Sequence, residues 1–287
     1  MSVASPEDPL RGRVVVITGA ARGIGRETAR LCAAGGARLV LSDSGGDPEG
    51  AGLDPAVIEE AARSLGGRSV EVLTDCRDLS IEGGPEALVE RALERFGRVD
   101  AIVASAGSFT ERPASRTEAA LVERALGISA RAAFALLRAA APKMVEQKDG
   151  AFVFVTGASA FFGMKGHAAE AAGHAATIAL ARSAALELRR HNVRVNTVVP
   201  SARTRLTEHL PLYKSVAEDS LGPAHVAATL AFLASTAAED ISGETIGVAG
   251  PRTYAFRIRE TPGAFGETGA TAAPAEAGRR LRDALRG

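Results

Sequence analysis

The segment Arg13-Val-Val-Val-Ile-Thr-Gly-Ala-Ala-Arg-Gly-Ile-Gly25 constrains the fold more than any other part of the chain. An apolar, β-branched run stops at three closely spaced glycines and continues with helical periodicity, which reads as strand, tight turn and helix. Gly19 allows the turn, Gly23 lets the backbone approach a pyrophosphate, and Gly25 lets the helix pack closely on the strand. The first N–H groups of that helix, from Ile24 onward, have no partner within it and face outward toward phosphates. A dinucleotide site is expected here.

Apolar runs and helical stretches go on alternating. Strands are expected at Arg38–Asp43, Ser69–Thr74, within Val99–Gly107, at Ala151–Thr156, Val193–Pro200 and Glu244–Val248. Between them helices are expected from Gly23 to a Gly35-Gly36 stop, from Pro55 with Asp54 as N-cap, and over Pro85–Phe96. Further helices are expected over Thr117–Val145, broken in pattern by Gly127 and Pro142, over Lys165–Arg190, and from Pro223. The run at Ala151–Thr156 is apolar on both faces, as in a parallel sheet buried on both sides. The expected fold is α/β, a doubly wound parallel sheet (Rossmann fold) with helices on both faces. Residues 1–10, polar with two prolines, read as a loose arm, and 11–260 as the domain. Residues 261–287, rich in Gly, Ala, Thr and Pro before a short basic helix at Ala275–Arg286, read as a tail that contacts a partner or docks loosely.

A chain of 287 residues, 46% hydrophobic and 24% charged, suits one large domain with a well-buried core. A formal net charge of +0 provides no global field for nucleic acid or an anionic membrane, so a small-molecule partner is expected. Cys32 and Cys76 have no His or second Cys at metal-ligand spacing, and the five histidines are scattered, so no metal site is expected. No secretory h-region precedes Arg11 and no apolar run approaches the ~18 residues of a membrane span, which points to a reduced, cytoplasmic setting.

The spacing Thr18-Gly19-Ala-Ala-Arg22-Gly23-Ile24-Gly25 resembles the TGxxxGxG fingerprint of the short-chain dehydrogenase/reductase family. That resemblance extends in family order along most of the chain. It implies that Thr74-Asp75-Cys76 holds the adenine amino group and that Ala106-Gly107 floors the cofactor, with Ala104 and Ser105 replacing the family's two asparagines. Arg194-Val195-Asn196 matches a family signature, and Ser201-Ala-Arg-Thr204 matches the segment that packs on the nicotinamide amide. Arg205–Gly222, with Pro211, Leu212 and Tyr213, occupies the place of a variable substrate lid. The pattern Asp43-x-Gly-Gly-Asp47 with an insert to Pro55 resembles the branch containing multifunctional-enzyme hydroxyacyl dehydrogenases.

Two signals on the cofactor conflict. Asp43, ~20 residues past the glycine loop, suits the ribose hydroxyls of NAD and repels a 2′-phosphate. It also reads as a turn residue ahead of Ser44-Gly45-Gly46. Arg22 stands where the resemblance implies a basic residue that meets the 2′-phosphate of NADP. NADP(H) is favoured, with NAD(H) the alternative.

The family's tetrad is a tyrosine acid/base, a lysine four residues later, a serine and an asparagine. Only Tyr213 and Tyr254 are present, and Ala217 and Ile258 stand four residues beyond them. Counting back from Arg194-Val195-Asn196, the tyrosine and lysine positions fall on Glu170 and His174, the serine position on Gly157 and the asparagine position on Ser129. Glu170 and His174, one helical turn apart, can pair across the cleft. A carboxyl with an ordinary pKa of about 4.3 donates no proton at neutral pH unless burial raises it, whereas a histidine near 6.5 titrates and can bond the ribose. Thr156 and Ser159 flank the lost serine and carry hydroxyls able to orient a carbonyl. Helix packing is the alternative reading for Glu170 and His174, and strand-end capping for the two hydroxyls.

An intact cofactor loop without the tetrad resembles family ketoreductases that act on aromatic polyketides in antibiotic biosynthesis. It implies an NAD(P)H-dependent oxidoreductase for an aromatic ketone whose own phenolic OH supplies the proton. The alternative is a nucleotide-binding protein without redox turnover: a sensor, a scaffold, or a cyclase or dehydratase on the same fold. The resemblance also implies a homo-oligomer built through the two long central helices.

Overall fold

A computed structural model describes residues 8–65, 70–217, 219–266 and 274–285. The chain forms two compact units, 1–255 and 256–287. In the first, eight strands make one sheet: β1 (Val14–Thr18), β2 (Arg38–Ser42), β3 (Val72–Asp75), β4 (Ala101–Ala104), β5 (Gly150–Val155), β6 (Val193–Ser201), β7 (Thr245–Ala249) and β8 (Arg252–Ala255). Their order is β3-β2-β1-β4-β5-β6-β7-β8. Every pair is parallel except β7 with β8.

The sheet is buried on both faces because successive side chains alternate between two cores. Val15 and Ile17 face one side and join Ala29 and Cys32 of α1 (Gly23–Ala34), Ile58 of α2 (Pro55–Ser64), and residues of the 223–234 helix. Val14 and Val16 face the other and join Leu88 and Val89 of α3 (Gly84–Phe96), with residues of the helices between β4 and β6. Each fully buried side chain of this size contributes about 1.5–3 kcal/mol, which outweighs the short length of the strands.

The expected 117–145 helix is present as α4 (Ala119–Leu126) and α5 (Ala132–Gln147), joined by a π-turn at Gly127–Arg131. Pro142 lies inside α5 without ending it, so of the two expected breaks only Gly127 changes the backbone pattern. A short α6 (Ser159–Phe162) precedes α7 (Ala168–Leu188), and α8 (Pro211–Lys214) lies in the lid segment before α9 (Pro223–Ala234). Asp54 caps α2, its side chain accepting from Ala56 N.

Some expectations need correction. Residues 1–7 of the arm lie outside the described residues, as do Ser69 at the expected start of β3 and Arg286 at the expected end of the tail helix. Residues 8–10 are docked, not loose: Leu10 is buried in the core and Thr236 N donates to Pro9 O. The antiparallel edge β8 had no expected counterpart, since its pattern Arg-Thr-Tyr-Ala is short and largely exposed. The family signature Arg194-Val195-Asn196 has a structural task. Arg194 donates to Leu233 O and Ser235 O at 2.8 Å, while Asn196 donates to Ile241 O and accepts from Glu244 N. These bonds tie β6 to the end of α9 and to the turn before β7. The second unit contains α10 (Pro274–Ala284), where Arg280 pairs with Glu276. Among the described residues no helix is long and apolar enough to cross a membrane.

Candidate active site

The strand order reverses between β1 and β4, and a cleft of about 240 Å³ opens beyond their carboxyl ends. The glycine loop forms one wall, and segments after β2, β3, β4 and β6 form the others.

Gly19 has φ +64°, and a Cβ there would come within 2.8 Å of the Ala106 backbone and Ser105 O. Gly23 has φ +50°, a conformation that side chains rarely adopt, and a Cβ there would lie 3.2 Å from Thr204 Cγ2. A Cβ on Gly25 would overlap the Gly19 carbonyl oxygen. These contacts bring together the turns after β1, β4 and β6. Thr18 joins them: Ser105 Oγ donates to Thr18 O at 2.6 Å, and Ala106 N donates to Thr18 Oγ1 at 3.1 Å. Thus Ser105, which replaces one of the family's two asparagines, anchors the β4 turn.

Gly19, Arg22, Gly23, Ile24, Gly25, Asp43, Ala106, Gly107 and Thr204 all line the cleft. Asp43 accepts from Ala21 N at 3.0 Å and Gly45 N at 2.8 Å, so it links the glycine loop to the insert that begins at Ser44. Asp75 and Cys76 are not among the lining residues. The buried Asp75 carboxylate turns to Arg77 at 2.8 Å and to Arg91, and Cys76 packs against the core. Two guanidinium partners thus engage the Asp75 carboxylate expected to face the adenine.

Three further arginines reach the cleft that sequence reasoning missed: Arg77, Arg124 and Arg205. Arg205 adjoins Thr204, so its place was implicit in the resemblance. Arg124 gave no signal, because only tertiary packing sets it against Gly50 O at 2.7 Å and Asp78 at 3.1 Å. Burial alone would raise the Asp78 pKa, but hydrogen bonds from Ser80 and Arg124 outweigh it and hold the carboxyl below its usual value. Arg22 and Arg205 both donate to Gly46 O, at 3.1 and 2.9 Å, and Arg124 and Arg112 hold Gly50 O and Glu49. The insert is thereby strapped along the cleft by arginines from several elements.

The four expected catalytic residues, Glu170, His174, Thr156 and Ser159, do not line this cleft. Glu170 is 5% exposed; its Oε1 accepts from Thr110 N at 2.7 Å, and its Oε2 is buried without a donor. The reason is the path of the chain after β4. Arg112 N donates to Gly166 O, and the Phe109 ring packs 4.7 Å from His167 and 5.3 Å from His209. This segment covers the start of α7 and takes the Glu170 carboxylate as its clamp.

Among the described residues no ion pair joins Glu170 to His174. His174 Nδ1 instead lies 3.5 Å from Ser159 Oγ, and burial pushes its pKa down to about 4. Thr156 Oγ1 and N both donate to Val198 O, so this hydroxyl closes the end of β5. Ser129, at the asparagine position, sits inside the π-turn and donates to Ala125 O. Tyr213 is no substitute acid: its phenol is tied to Ala202 and Thr207, and burial pushes its pKa up.

The His174 shift has a measurable consequence. Its folded pKa of about 4 lies below that of an unfolded imidazole, so the unfolded chain takes the proton first. The contribution is complete above about pH 6.5 and is lost as pH falls toward 4, on the order of 3 kcal/mol in total. Urea unfolding between these limits should show that slope, and His174→Gln should remove it. An equal slope in the variant would place the titration elsewhere.

Fold and cradle define a doubly wound α/β protein whose candidate site lies at the switch point of the sheet. The chain belongs to the short-chain dehydrogenase/reductase superfamily: residues 19–250 match the family described as Enoyl-(Acyl carrier protein) reductase. It is 33% identical over 240 residues to the peroxisomal multifunctional enzyme type 2 of Mus musculus, covering 82% of this chain and 32% of that protein. The chain thus spans about a third of that relative's length. It is 33% identical over 259 residues to the L-rhamnose 1-dehydrogenase (NAD(P)(+)) of Azotobacter vinelandii, covering 83% of this chain and 95% of that one. The crystal structure of 3-ketoacyl-(acyl-carrier-protein) reductase from Brucella melitensis complexed with NADH superposes with a TM-score of 0.73 at 28% identity, covering 84% and 98%.

Proposed function

We propose that this protein is an NAD(P)H-dependent reductase for a ketone of an aromatic polyketide, with the proton drawn from the substrate. The observation that carries the proposal is the glycine cradle. Three glycines retain contacts that a Cβ would break, in a chain whose tetrad positions hold Ser129, Gly157, Glu170 and His174. Such a cradle fits a dinucleotide, and a bound reduced nicotinamide supplies hydride to a carbonyl carbon. The relatives, named for NAD(P)-linked and ketoacyl chemistry, support that class of reaction.

In this reading the N–H groups from Ile24 onward bind pyrophosphate, and Thr204 and Gly107 orient the nicotinamide end. The developing alkoxide still needs a proton. An uncharged His174 brings no fixed cation to it, and the Glu170 carboxylate is occupied as an acceptor from Thr110 N. A phenolic OH beside the ketone supplies the proton within the substrate, already oriented, and water then reprotonates the phenolate.

NADPH is the favoured cofactor. Both Asp43 oxygens already accept backbone N–H bonds, while Arg22 and Arg205 share the neutral acceptor Gly46 O. Burial and the neighbouring Arg22 lower the Arg205 pKa, so an anion between the two guanidiniums relieves their repulsion. Arg205→Gln should weaken NADPH about tenfold and NADH much less, as for loss of one charge-assisted bond. Calorimetric titration of both cofactors checks this; equal losses would leave Arg205 as a clamp on the insert.

The direct test follows absorbance of the reduced nicotinamide with a ketone carrying a neighbouring phenolic OH. Steady consumption supports the reductase. Tight NADPH binding without consumption supports the second reading, a nucleotide-binding sensor, scaffold, cyclase or dehydratase, which the closed environment of Glu170 favours. We also propose a homo-oligomer through α5 and α7, where Phe134 is 54% and Leu186 80% exposed.

A further inference from the structure

We infer that Gly157 and His174 form one interlocking unit, in which the glycine is kept because the imidazole occupies the space that any side chain at 157 needs. Gly157 is thus the positioning residue for His174.

A Cβ on Gly157 would lie 2.6 Å from His174 Nδ1 and 2.8 Å from Cε1, closer than real Cβ atoms come. Conformation does not explain the glycine, since Gly157 is absent from the positive-φ positions among the described residues and its backbone is open to alanine. Space is therefore the reason. The half-buried imidazole sits at the end of β5 with Nδ1 3.5 Å from Ser159 Oγ, so a side chain at 157 displaces it from that position.

One residue earlier, α7 repeats the device. A Cβ on Gly173 would overlap Ser129 Oγ and approach Ala125 O to 3.0 Å. Positions 129, 157 and 174 are thus all engaged in glycine-seated packing. Reinstating a serine at 157 alone collides with His174. A side chain at 157 therefore requires a change at 174.

The inference goes beyond the proposed reaction and is tested separately from it. The four proteins of a double-mutant cycle are compared: parent, Gly157→Ala, His174→Ala and both together. Gly157→Ala alone should lower the melting temperature by about 3–8 °C through overpacking. In the His174→Ala background the same change should cost less than about 1 °C, because the clashing ring is gone. NMR titration supplies a readout that general destabilisation does not mimic. The His174 pKa of about 4 arises from burial, with no charged neighbour contributing, and in folded Gly157→Ala it should return toward the ordinary 6.5 as the ring is expelled. Equal melting losses in both backgrounds, or an unmoved His174 titration in folded Gly157→Ala, would overturn the inference. These readouts need no substrate, so a failure to consume ketone counts against the proposed reaction alone.

Discussion

Gly25→Ala is expected to abolish dinucleotide binding, raising the dissociation constant for NADPH at least about a hundredfold. The added Cβ overlaps the Gly19 carbonyl oxygen and comes within 2.8 Å of Gly19 C and of Ser105 Oγ. The overlapped atom is backbone, which cannot rotate aside as a side chain can. Relief requires α1 to move off β1, which tilts the N–H groups at its start away from the pyrophosphate. Overpacking of this kind costs about 1–3 kcal/mol or more, so the melting temperature should fall by roughly 3–10 °C as well. Calorimetry on the folded variant separates the two effects. Retention of NADPH affinity within threefold in that variant would remove the cradle from the cofactor site.

The second large effect concerns the substrate. A ketone without the neighbouring phenolic OH should be reduced about 10² to 10⁴-fold more slowly, the usual contribution of a positioned general acid. Glu170→Gln and His174→Ala should each cost less than about tenfold, because neither group serves as the acid in this scheme. The comparison is decisive in both directions. If Glu170→Gln removed all turnover while NADPH affinity held, the donorless Oε2 would become the proton site, and the segment at Thr110 would have to open during the reaction. Measuring kcat for both ketones with all three proteins distinguishes the cases.

Much of the fold was legible because local signals agreed with the global one. The run Val14–Thr18 is apolar at every position and stops at Gly19, which requires a buried parallel strand followed by a turn. Asp54-Pro55 marked a helix start, and the capping bond to Ala56 N is present. The edge strand β8 escaped because an exposed edge has little hydrophobic pattern. The docked residues 8–10 escaped because Leu10 is a lone apolar residue among polar ones.

For the site, residue identity and residue placement came from different levels. The amino-acid sequence by itself determined the parallel sheet and the glycine turn, since these depend on residue type, periodicity and spacing, whereas the tetrad positions 129, 157, 170 and 174 rest on the family resemblance. Only the tertiary structure decided where the replacements point. Glu170 became a clamp because Thr110, sixty residues earlier, presents a buried N–H that needs an acceptor. Asp75 is paired because Arg77 and Arg91 converge on it, and Arg124 reaches the cleft because it bonds Gly50 O of the insert. Burial pushes the His174 pKa down where its ring sits beside Gly157. Side-chain direction, burial and partner choice depend on contacts distant in the chain, and these exist only once the strands and helices have packed.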